Sequence, residues 1–557
     1  MQIFPLLLTA LALHGQERGY TIPLIDLAHE TARQVIVDRD PGQYLGHPTT
    51  LLLEDGRTML IVYPKGHGKG GIVMKRSTDA GLTWSERLPV PENWATSRET
   101  PTIHRVVDAK GRKRIVLFSG LYPIRSSISL DDGREWTPLK PIGDFGGIVA
   151  MGDVMRLNDG RYMAVFHDDG RFLKNGGKAA KFTVFKTLSS DGGLTWRAPE
   201  VVAEHPEAHL CEPGLIRSPD GRQIAMLLRE NSRKFNSFVT FSSDEGRTWT
   251  TPRQLPGSLT GDRHVARYGP DGRLFITFRD TTHESPTRGD WVAWVGKYDD
   301  IAQGREGQYR VRLMDNTKGA DCCYPGLEVL GDGTFVTTTY GHWTEGQPPY
   351  IASVRLKLGE LDQRARVPFD TPLVKVVRAA NVPGQKSRLH KHDLNRVMVH
   401  LDAGRMRLAF QGGPDNEVAF GAGEVRWDPK GGLHTSENTG GSHYRIIEIE
   451  LKNPGVEEKL PAPEAPGQYS VELENQQVRI LRARYGAGES SPLHRHTLPR
   501  VVVFLTPFHV RSASSNGRTT EIRARAGDVM MLGADEHTAT NLSEKPFEVV
   551  IVELKSR

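Results

Sequence analysis

One eight-residue pattern, Ser-x-Asp-x-Gly-x-x-Trp, constrains the fold of this chain more than any other feature, because it occurs four times. The copies are STDAGLTW, SLDDGREW, SSDGGLTW and SSDEGRTW, and they begin at residues 77, 129, 189 and 242. The spacings are therefore 52, 60 and 53 residues. A period near 50 residues is typical of a β-propeller, in which each repeat forms one four-stranded blade.

A second repeat extends the first and places a glycine turn before a β-rich run, which predicts a tight hairpin between two strands. The turn occurs six times, with the glycines Gly56, Gly111, Gly160, Gly221, Gly272 and Gly333. Six hairpins predict six blades, and the first four also carry the eight-residue box. Asp and Gly suit a turn and Trp packs between sheets, so the boxes are predicted to be structural rather than catalytic.

The boxes resemble the Asp-box repeats of the sialidase (neuraminidase) superfamily. The resemblance covers about residues 20–362 and implies a six-bladed propeller. Since the blades are repeats, residues nine positions before each turn glycine are expected at equivalent places on one face. These residues are His47, Thr102, Met151, Glu212, Arg263 and Tyr324. The returning strands bring His167, Asp168, Arg229, Arg279 and Tyr340 to the same face, with Lys65 one step beyond in blade 1.

Strand pairing predicts that Glu212 lies beside Arg229 and that Arg263 lies beside Arg279. A single arginine there is best explained by an inter-blade salt bridge. The whole set favours a binding site, because buried charge is costly unless it is paired or used. Several guanidiniums bind a carboxylate bidentately, so the pattern indicates an acidic sugar as ligand. A phenol nucleophile avoids repulsion by that carboxylate, and a neighbouring glutamate can take its proton.

The sialidase resemblance also implies roles for particular residues. EPGLIRSPDGRQIAMLLRE resembles the stretch that holds the tyrosine's glutamate partner and one triad arginine, here Glu212 and Arg229. CYPGLEVLGDGTFVTTTY resembles the stretch with the tyrosine nucleophile, here Tyr324, and GRLFITFRD would supply another triad arginine, Arg279. The resemblance therefore implies a retaining exo-glycosidase that uses a tyrosine nucleophile.

Two family features are missing. The Arg-Ile-Pro motif of blade 1 is replaced by YLGHP, with Gly46 in the arginine's place and His47 before the proline, and the loop YPKGHGKGG lacks the usual acid/base aspartate. Lys65 or Arg263 are candidates for the missing charge. His67, His47 or Asp168 are candidates for the missing acid. The alternative is a carbohydrate-binding propeller without turnover.

The pattern changes after about residue 365. GQKSRLHKH, from Gly384, and GEVRWDPKGGLHTSEN, from Gly423, resemble the two motifs of a cupin, a small double-sheet barrel. Both motifs recur, from Gly488 and from Gly527. We therefore predict an all-β chain with a propeller at 20–362, barrels at 366–453 and 469–557, and a Pro- and Glu-rich linker at 454–468.

The cupin resemblance implies a divalent metal held by three histidines in each barrel: His390, His392 and His434, then His494, His496 and His537. The usual glutamate ligand is replaced by Arg396 in one barrel and by Arg500 in the other. Two alternatives stay open: a weak three-histidine metal site, or a metal-free barrel whose arginine holds an anion. The barrels could equally be structural or dimerising. A third functional hypothesis makes them a metal-dependent enzyme that the propeller recruits to its substrate.

Composition and the N-terminus exclude some classes of protein. The net charge of +5 over 557 residues, without a block of like charges, gives no indication of nucleic-acid binding. Residues 3–13 are almost wholly apolar but too short to span a bilayer, so we predict a signal peptide at 1–16 and a periplasmic or secreted protein. No other segment is predicted to cross a membrane. The three cysteines form neither a disulfide framework nor a zinc pattern, and the adjacent Cys322 and Cys323 are not expected to pair easily.

Overall fold

The computed structural model describes residues 18–20, 22–173, 182–515 and 517–556. Its strands form ten sheets, which confirms the all-β prediction. The α-helices in the described part of the chain are Tyr298–Gln303 and Leu358–Arg366, and the 3₁₀ helices are Thr31–Arg33, Glu92–Thr96 and Gly257–Leu259. The predicted signal peptide lies outside the described residues. No helix among those residues is long and apolar enough to cross a membrane.

Six of the ten sheets are the predicted blades, and the first three follow one another along the chain. Blade 1 contains Thr49–Leu52, Met59–Pro64 and Ile72–Ser77. Blade 2 contains Thr102–Val107, Lys113–Ser119, Arg125–Ser129 and Lys140–Pro141. Blade 3 contains Ile148–Arg156, Tyr162–Asp168, Thr183–Ser189 and Glu200–Glu204.

Blade 4 follows the same order, whereas blades 5 and 6 each take one outer strand from the N-terminal region. Blade 4 contains Leu210–Arg217, Ile224–Glu230, Phe238–Ser242 and Arg253–Gln254. Blade 5 contains Gly261–Tyr268, Leu274–Asp280, Trp291–Gly296 and Tyr309–Met314, with Leu24–Asp26 added in parallel. Blade 6 contains Gly326–Val329, Phe335–Gly341 and Tyr350–Leu356, with Gln34–Asp38 added antiparallel. Residues 24–38 therefore close the ring.

The predicted hairpins are confirmed, because each turn glycine lies between the first two strands of its blade. All six have positive φ, from 69° at Gly56 to 87° at Gly160, which a residue with a β-carbon adopts only at a cost. The first strand of each blade lines the centre of the ring. The residues just before it or at its start therefore meet the corresponding residues of the other blades.

The boxes follow the third strands and join neighbouring blades. In blade 4, Ser242 Oγ donates to Asp244 Oδ1 at 2.8 Å, and the Gly246 N–H donates back to Ser242 Oγ at 2.8 Å. A β-carbon at Gly246 would lie 2.7 Å from Met163 Sδ of blade 3, so the turn packs directly on the preceding blade. The packing of this turn on the neighbouring blade therefore supports a structural role for the boxes.

The remaining four sheets form two double-sheet barrels, which confirms the predicted fold class. Barrel 1 pairs a five-stranded sheet with a four-stranded sheet. The five-stranded sheet contains, in spatial order, Phe369–Asp370, Val374–Asn381, Tyr444–Leu451, Arg396–His400 and Val425–Asp428. The four-stranded sheet contains His390–His392, Gly431–Asn438, Gly404–Phe410 and Asp415–Phe420. Barrel 2 repeats this arrangement. Its five-stranded sheet contains, in spatial order, Tyr469–Glu474, Val478–Tyr485, Phe547–Leu554, Arg500–Phe504 and Val529–Leu532. Its four-stranded sheet contains His494–His496, Asp535–Asn541, Phe508–Ser514 and Thr519–Ala524. The domain boundaries given above remain proposals.

The two barrels share one hydrophobic core. Val376 and Ile449 of barrel 1 belong to the same buried cluster as Ile480 and Val552 of barrel 2, and all four lie on the five-stranded sheets. Barrel 2 also touches the propeller, since the Arg525 guanidinium lies 4.3 Å from the Tyr20 ring centre. The five-stranded face that a barrel could use for dimerisation is therefore already covered within this chain.

Candidate active site

Three of the residues at equivalent blade positions have an unusual backbone. His47, Glu212 and Arg263 have φ of 55°, 48° and 57°, a left-handed conformation that costs a residue with a β-carbon about 1–3 kcal/mol. Register shifts mark β-bulges at Glu212 and Arg263. A bulge redirects a side chain relative to its strand, so the same local distortion turns these residues toward the centre of the ring.

The centre brings together the residues that the sequence singled out for chemistry. The Tyr324 hydroxyl donates a short hydrogen bond to Glu212 Oε1, and Arg229 Nη1 donates to the same oxygen at 2.6 Å. Arg229 Nη1 also lies 3.5 Å from the Tyr324 oxygen. Glu212 is 3% exposed and Tyr324 is 8% exposed, so this contact is shielded from bulk water.

The protonation states of the pair are complementary. Burial raises the pKa of Glu212, but the positive charge of Arg229 and the Tyr324 hydrogen bond outweigh burial and hold that pKa below its ordinary value. Burial, and then the Glu212 charge, raise the pKa of Tyr324 well above 10.0. The glutamate is therefore ionised and the phenol protonated, as a proton acceptor and its donor must be.

A buried aspartate that sequence analysis missed organises the arginines. Asp262, with a fully buried side chain, accepts from Arg279 Nε at 2.9 Å and from Arg233 Nη1 at 2.6 Å, and it lies 3.2 Å from Arg229 Nε. Burial raises its pKa, but the three guanidiniums together hold that pKa far below the ordinary aspartate value. Three guanidiniums facing Asp262 and Glu212 leave one net positive charge in this cluster.

The register corrects one predicted neighbour. Arg279 pairs with Asp262 across the hairpin, whereas Arg263 lies in the bulge and donates to the Gly152 carbonyl oxygen at 2.7 Å. The prediction that Arg263 lies beside Arg279 is therefore wrong by one residue, because the bulge shifts the pairing. Glu212 also occupies a bulge, yet its predicted contact with Arg229 is present.

His47 forms the side of the centre where the sialidase resemblance implied an arginine, at the neighbouring Gly46. Its ring centre lies 4.3 Å from that of Tyr324 and 4.6 Å from that of Tyr340. Burial, followed by the charges of His67 and Arg279, lowers its pKa well below 6.5, so the ring is neutral. The Gly68 N–H donates to His47 Nδ1 at 3.1 Å, which assigns the ring hydrogen to Nε2, 3.3 Å from the Tyr340 oxygen.

A further carboxylate lies at the edge of the central site. Asp321 accepts from Tyr44 at 2.7 Å, lies 3.0 Å from His342 Nε2, and lies 3.5 Å from His67 Nε2. His67 is exposed, and its ring centre lies 4.9 Å from that of His47. The sequence patterns did not predict Asp321 or Tyr44 as site residues, although each lies three residues before a predicted position.

The structure gives the remaining predicted residues other surroundings. Asp168 is buried, and its Oδ2 accepts backbone N–H groups of Gly170, Phe172 and Leu173 at 2.8, 3.2 and 3.1 Å, as in a turn cap. His167 Nδ1 accepts the Glu212 N–H at 3.4 Å. Lys65 is exposed, and among the described residues no contact joins its side chain to the central cluster.

Each barrel holds a histidine triad, and the triad's ligand nitrogens lie within 4.8 Å of one another. In barrel 1, the Nδ1 atoms of His390 and His434 lie 2.8 and 3.0 Å from backbone carbonyl oxygens. Hydrogen bonds at Nδ1 leave Nε2 of these two histidines for a metal, so the donor set fits a divalent cation. In barrel 2, His496 Nδ1 lies 3.2 Å from Glu553 Oε1, but Tyr469 contacts His494 Nε2 at 3.0 Å.

The arginines that replace the expected glutamate ligands bind carboxylates of the protein itself. Arg396 pairs with Asp428 and, at 2.7 Å, with Glu448. Arg500 pairs with Asp535 at 2.7 Å and lines a cavity of about 120 Å³ in barrel 2. Carboxylates of the protein therefore already neutralise both guanidiniums beside the triads, and neither arginine is left to bind an added anion.

Comparison with known proteins agrees with this geometry. Residues 124–336 match the BNR repeat-like domain. The chain is 25% identical over 276 residues to a sialidase of Clostridium perfringens, covering 46% of this chain and 61% of the relative. It is 26% identical over 251 residues to a sialidase of Micromonospora viridifaciens, covering 39% of this chain and 36% of the relative. The chain thus spans less than two thirds of either relative.

Solved structures show weaker overall likeness. A protein of unknown function from Dyadobacter fermentans has a TM-score of 0.48 and 17% identity, covering 58% of this chain and 98% of that one. An α-L-arabinofuranosidase from Fusarium graminearum has a TM-score of 0.45 and 13% identity, covering 59% of this chain and 99% of that one. Likeness at this level carries no functional conclusion.

Proposed function

We propose that the centre of the propeller, which matches the BNR repeat-like domain over residues 124–336 and is similar to sialidases, is the active site of a retaining exo-glycosidase acting on a terminal acidic sugar. One observation carries the proposal: the buried Tyr324 hydroxyl donates to Glu212, and Arg229 holds the same carboxylate oxygen at 2.6 Å. A phenol that lies against an ionised carboxylate in a shielded site is equipped as a nucleophile.

In the proposed reaction Glu212 takes the Tyr324 proton while the phenolate oxygen bonds to the anomeric carbon. The glycosidic C–O bond breaks, and the leaving oxygen receives a proton from a general acid. Water then attacks the glycosyl–tyrosine bond, loses its proton to the conjugate base of that acid, and Tyr324 leaves with the proton held by Glu212. Two displacements retain the anomeric configuration.

The charge of the cluster supports an acidic substrate. Arg229 and Arg279 face the centre, but both also hold Asp262. A substrate carboxylate would therefore bind to guanidiniums that already have a protein partner, drawn by the one net positive charge that remains. Planar guanidiniums with spare N–H groups suit such shared recognition. Arg263 is buried nearby and adds positive charge without a carboxylate contact among the described residues.

For the general acid we propose His67, oriented by Asp321. His67 is exposed to water at the edge of the central site, and Asp321 lies 3.5 Å from its Nε2. His47, the second candidate, is buried and neutral, and it contacts Tyr340 rather than solvent. Asp168, the third candidate, uses one oxygen to cap a turn. Of the three candidates, only His67 combines exposure with an orienting carboxylate.

The proposal is tested with a panel of aryl glycosides of acidic sugars: sialosides, hexuronides and other nonulosonates. Release of the aryl group by the wild-type chain and its loss in Tyr324→Phe are the expected results. Tyr298→Phe is the matched control, because that hydroxyl bonds Gln223 in the same propeller at 3.0 Å. Absence of turnover on the whole panel, or turnover that survives Tyr324→Phe, would overturn the tyrosine mechanism. Binding of these sugars without turnover would favour the carbohydrate-binding alternative.

The histidine triads favour a second candidate, a metal-dependent activity of the barrels. His390, His392 and His434 would hold a divalent metal in barrel 1, and such a metal supplies Lewis-acid or redox chemistry. Metal analysis of the purified full chain tests this candidate. A stoichiometric transition metal that is lost in His434→Ala would support it, and a metal content that His434→Ala leaves unchanged would sink it. His443→Ala, an exposed histidine of the same barrel, is the control.

Two further predictions remain part of this proposal: export to the periplasm or medium, and dimerisation through the barrels. An acidic glycoconjugate outside the cell would be accessible to an exported enzyme. Dimerisation would need a barrel surface other than the five-stranded faces, which pack on each other within the chain.

A further inference from the structure

The two adjacent cysteines immediately before Tyr324 are in closer contact than sequence analysis anticipated. Cys322 and Cys323 are both free, and their sulfur atoms lie 2.6 Å apart. That separation is longer than a covalent S–S bond of about 2.05 Å, yet shorter than non-bonded sulfur atoms normally approach. Both residues are fully buried. The local fold has thus brought the two thiols into position for a bond.

The backbone around the pair supports this geometry. Cys323 has φ of 67°, a left-handed conformation in which glycine would be free of strain. Its N–H donates to the Tyr340 carbonyl oxygen at 3.0 Å, which ties the turn to the returning strand of blade 6. The chain therefore has a β-carbon and a thiol in a conformation that disfavours any side chain, and the thiol points to its neighbour.

The third cysteine is not a competing partner. Cys211 lies in blade 4, where its Sγ is 3.8 Å from the Arg229 carbonyl oxygen. Cys322 Sγ instead faces the Gly289 carbonyl oxygen at 3.1 Å, in the hydrophobic core between blades 5 and 6. Of the three cysteines, only the adjacent pair has its sulfur atoms together.

We propose that Cys322 and Cys323 form a vicinal disulfide that fixes the turn carrying Tyr324. Each thiol gives up its proton, one S–S bond forms, and two electrons pass to a disulfide oxidant, which becomes two thiols. Thiol–disulfide exchange of this kind proceeds in oxidising compartments through a mixed disulfide. The bond does not depend on the proposed glycosidase activity, but its formation in the cell rests on the proposed export to an oxidising compartment.

The bond forms while this part of the chain is still open. Burial raises the pKa of the Cys323 thiol well above 9.0 in the folded protein, and thiolate is the reactive form. Once blades 5 and 6 close over the pair, both sulfur atoms are also shielded from reductants. The folded protein therefore keeps whichever redox state the pair had when it was buried.

The disulfide would affect both sides of the central site. Arg279 Nη1 donates to the Cys322 carbonyl oxygen at 3.0 Å, and Tyr324 follows Cys323 directly. A covalent ring across two consecutive residues restricts the backbone torsions on which both contacts depend. The nucleophile and the arginine would thus share one rigid support.

The test counts thiols in the full-length chain and needs no substrate. The chain is refolded in a glutathione redox buffer, denatured in iodoacetamide without reductant, and digested with trypsin. Cleavage after Lys318 and Arg355 leaves Cys322 and Cys323 in one peptide. We expect a single alkylated cysteine, Cys211, and a 319–355 peptide that is unalkylated and lighter by two hydrogen atoms than its reduced form.

Alkylation of both Cys322 and Cys323, glutathione adducts on them, or a disulfide to Cys211 would each overturn the proposal. Cys211→Ser supplies the first control and should leave no alkylated cysteine. Cys323→Ser supplies the second and should expose Cys322 to alkylation. Because the wild-type count stands without either variant, failure of a variant to fold leaves the test intact.

Discussion

The rim of the propeller and its centre are both built from equivalent positions of repeated blades, yet they differ in kind. At the rim the same residues make the same bonds in each box, as Ser77 with Asp79 and Ser242 with Asp244 illustrate. At the centre His47, Glu212 and Arg263 share a register and a backbone conformation but not a chemistry. Residues that repeat in every box therefore mark the contacts that hold the ring together. Residues that differ at equivalent central positions mark the candidate functional site.

Left-handed residues occur in both regions and sharpen this contrast. Ala80, Asp132 and Glu245 have φ of 58°, 60° and 61° at one position of three boxes, where the residue merely turns the chain. Glu212 has φ of 48°, and its side chain bonds both Tyr324 and Arg229. The same conformational cost serves a turn in the boxes and directs a buried carboxylate toward the centre.

The largest difference in kcat between the two regions should appear when one glutamate of each region is replaced separately. Glu212→Gln removes the proton acceptor of Tyr324, and we expect kcat on an acidic aryl glycoside to fall by about a thousandfold. Glu245→Gln in the fourth box weakens contacts with Arg217 at 2.6 Å and with the Asn158 N–H at 2.7 Å, and it should leave kcat unchanged. Steady-state kinetics of both variants measure the difference. Equal losses of kcat would mean that the rim also takes part in the chemistry.

Replacement of one aspartate in each region should lower the free energy of unfolding by different amounts. Asp262→Asn leaves three buried or half-buried guanidiniums without their shared negative charge, and we expect the free energy of unfolding to fall by about 3–5 kcal/mol. Asp244→Asn keeps an oxygen acceptor in its turn and should cost about 1 kcal/mol. Urea denaturation followed by tryptophan fluorescence measures both. Costs of similar size would contradict the distinction between a buried charge cluster and a local turn.

His67, at the edge of the central site, should show an effect that depends on the leaving group. His67→Ala should lower kcat about a hundredfold for a substrate whose leaving group needs protonation. For a dinitrophenyl leaving group, which departs without a proton, the variant should stay close to wild type. Exposed His443 in barrel 1 provides the control substitution. A loss that is independent of the leaving group would assign His67 to substrate binding instead of acid catalysis.

The smallest effect is a pH dependence at the rim. Hydrogen bonds from Thr248, side chain and backbone, lower the pKa of Asp244 to about 2 from 3.8. A carboxyl whose pKa is depressed on folding stabilises the protein above its unfolded pKa, and that contribution is lost as pH falls through the folded value. The stability gap between wild type and Asp244→Asn should therefore be constant from pH 7 to about 4 and narrow toward pH 2. Equilibrium unfolding at several pH values measures the gap, and a gap that widens in acid would contradict this assignment.

The repeats predicted the blades and the central residues because hairpin turns and strand alternation are local properties. Glu212, Arg229 and Tyr324 do meet as expected. Asp262 was missed because a bulge shifts the pairing by one residue, and no pattern in the sequence marks the bulge. The roles of all these residues in a reaction remain predictions until the variants above are measured.

Contacts between distant segments were also beyond prediction. Leu24–Asp26 and Gln34–Asp38 complete blades 5 and 6, but each pairs outside its own repeat and so leaves no periodic signal. Asp321 reaches Tyr44 and His67 only because the ring brings the loop before blade 6 next to the loops of blade 1. Periodicity describes one blade well, whereas the seam between the last blade and the first depends on the closed ring.

That seam has a consequence for how the chain acquires its structure. Ile36 pairs with Ala352, so about 300 residues lie between the two sides of one sheet, and bringing them together costs about 5 kcal/mol of chain entropy. During synthesis the early segment must wait, unpaired, until the strand at 350–356 has emerged, while each barrel folds from fewer than a hundred consecutive residues. The propeller therefore closes late and as a unit. Its central site, composed of loops from blades 1, 4, 5 and 6, cannot exist in any partial ring.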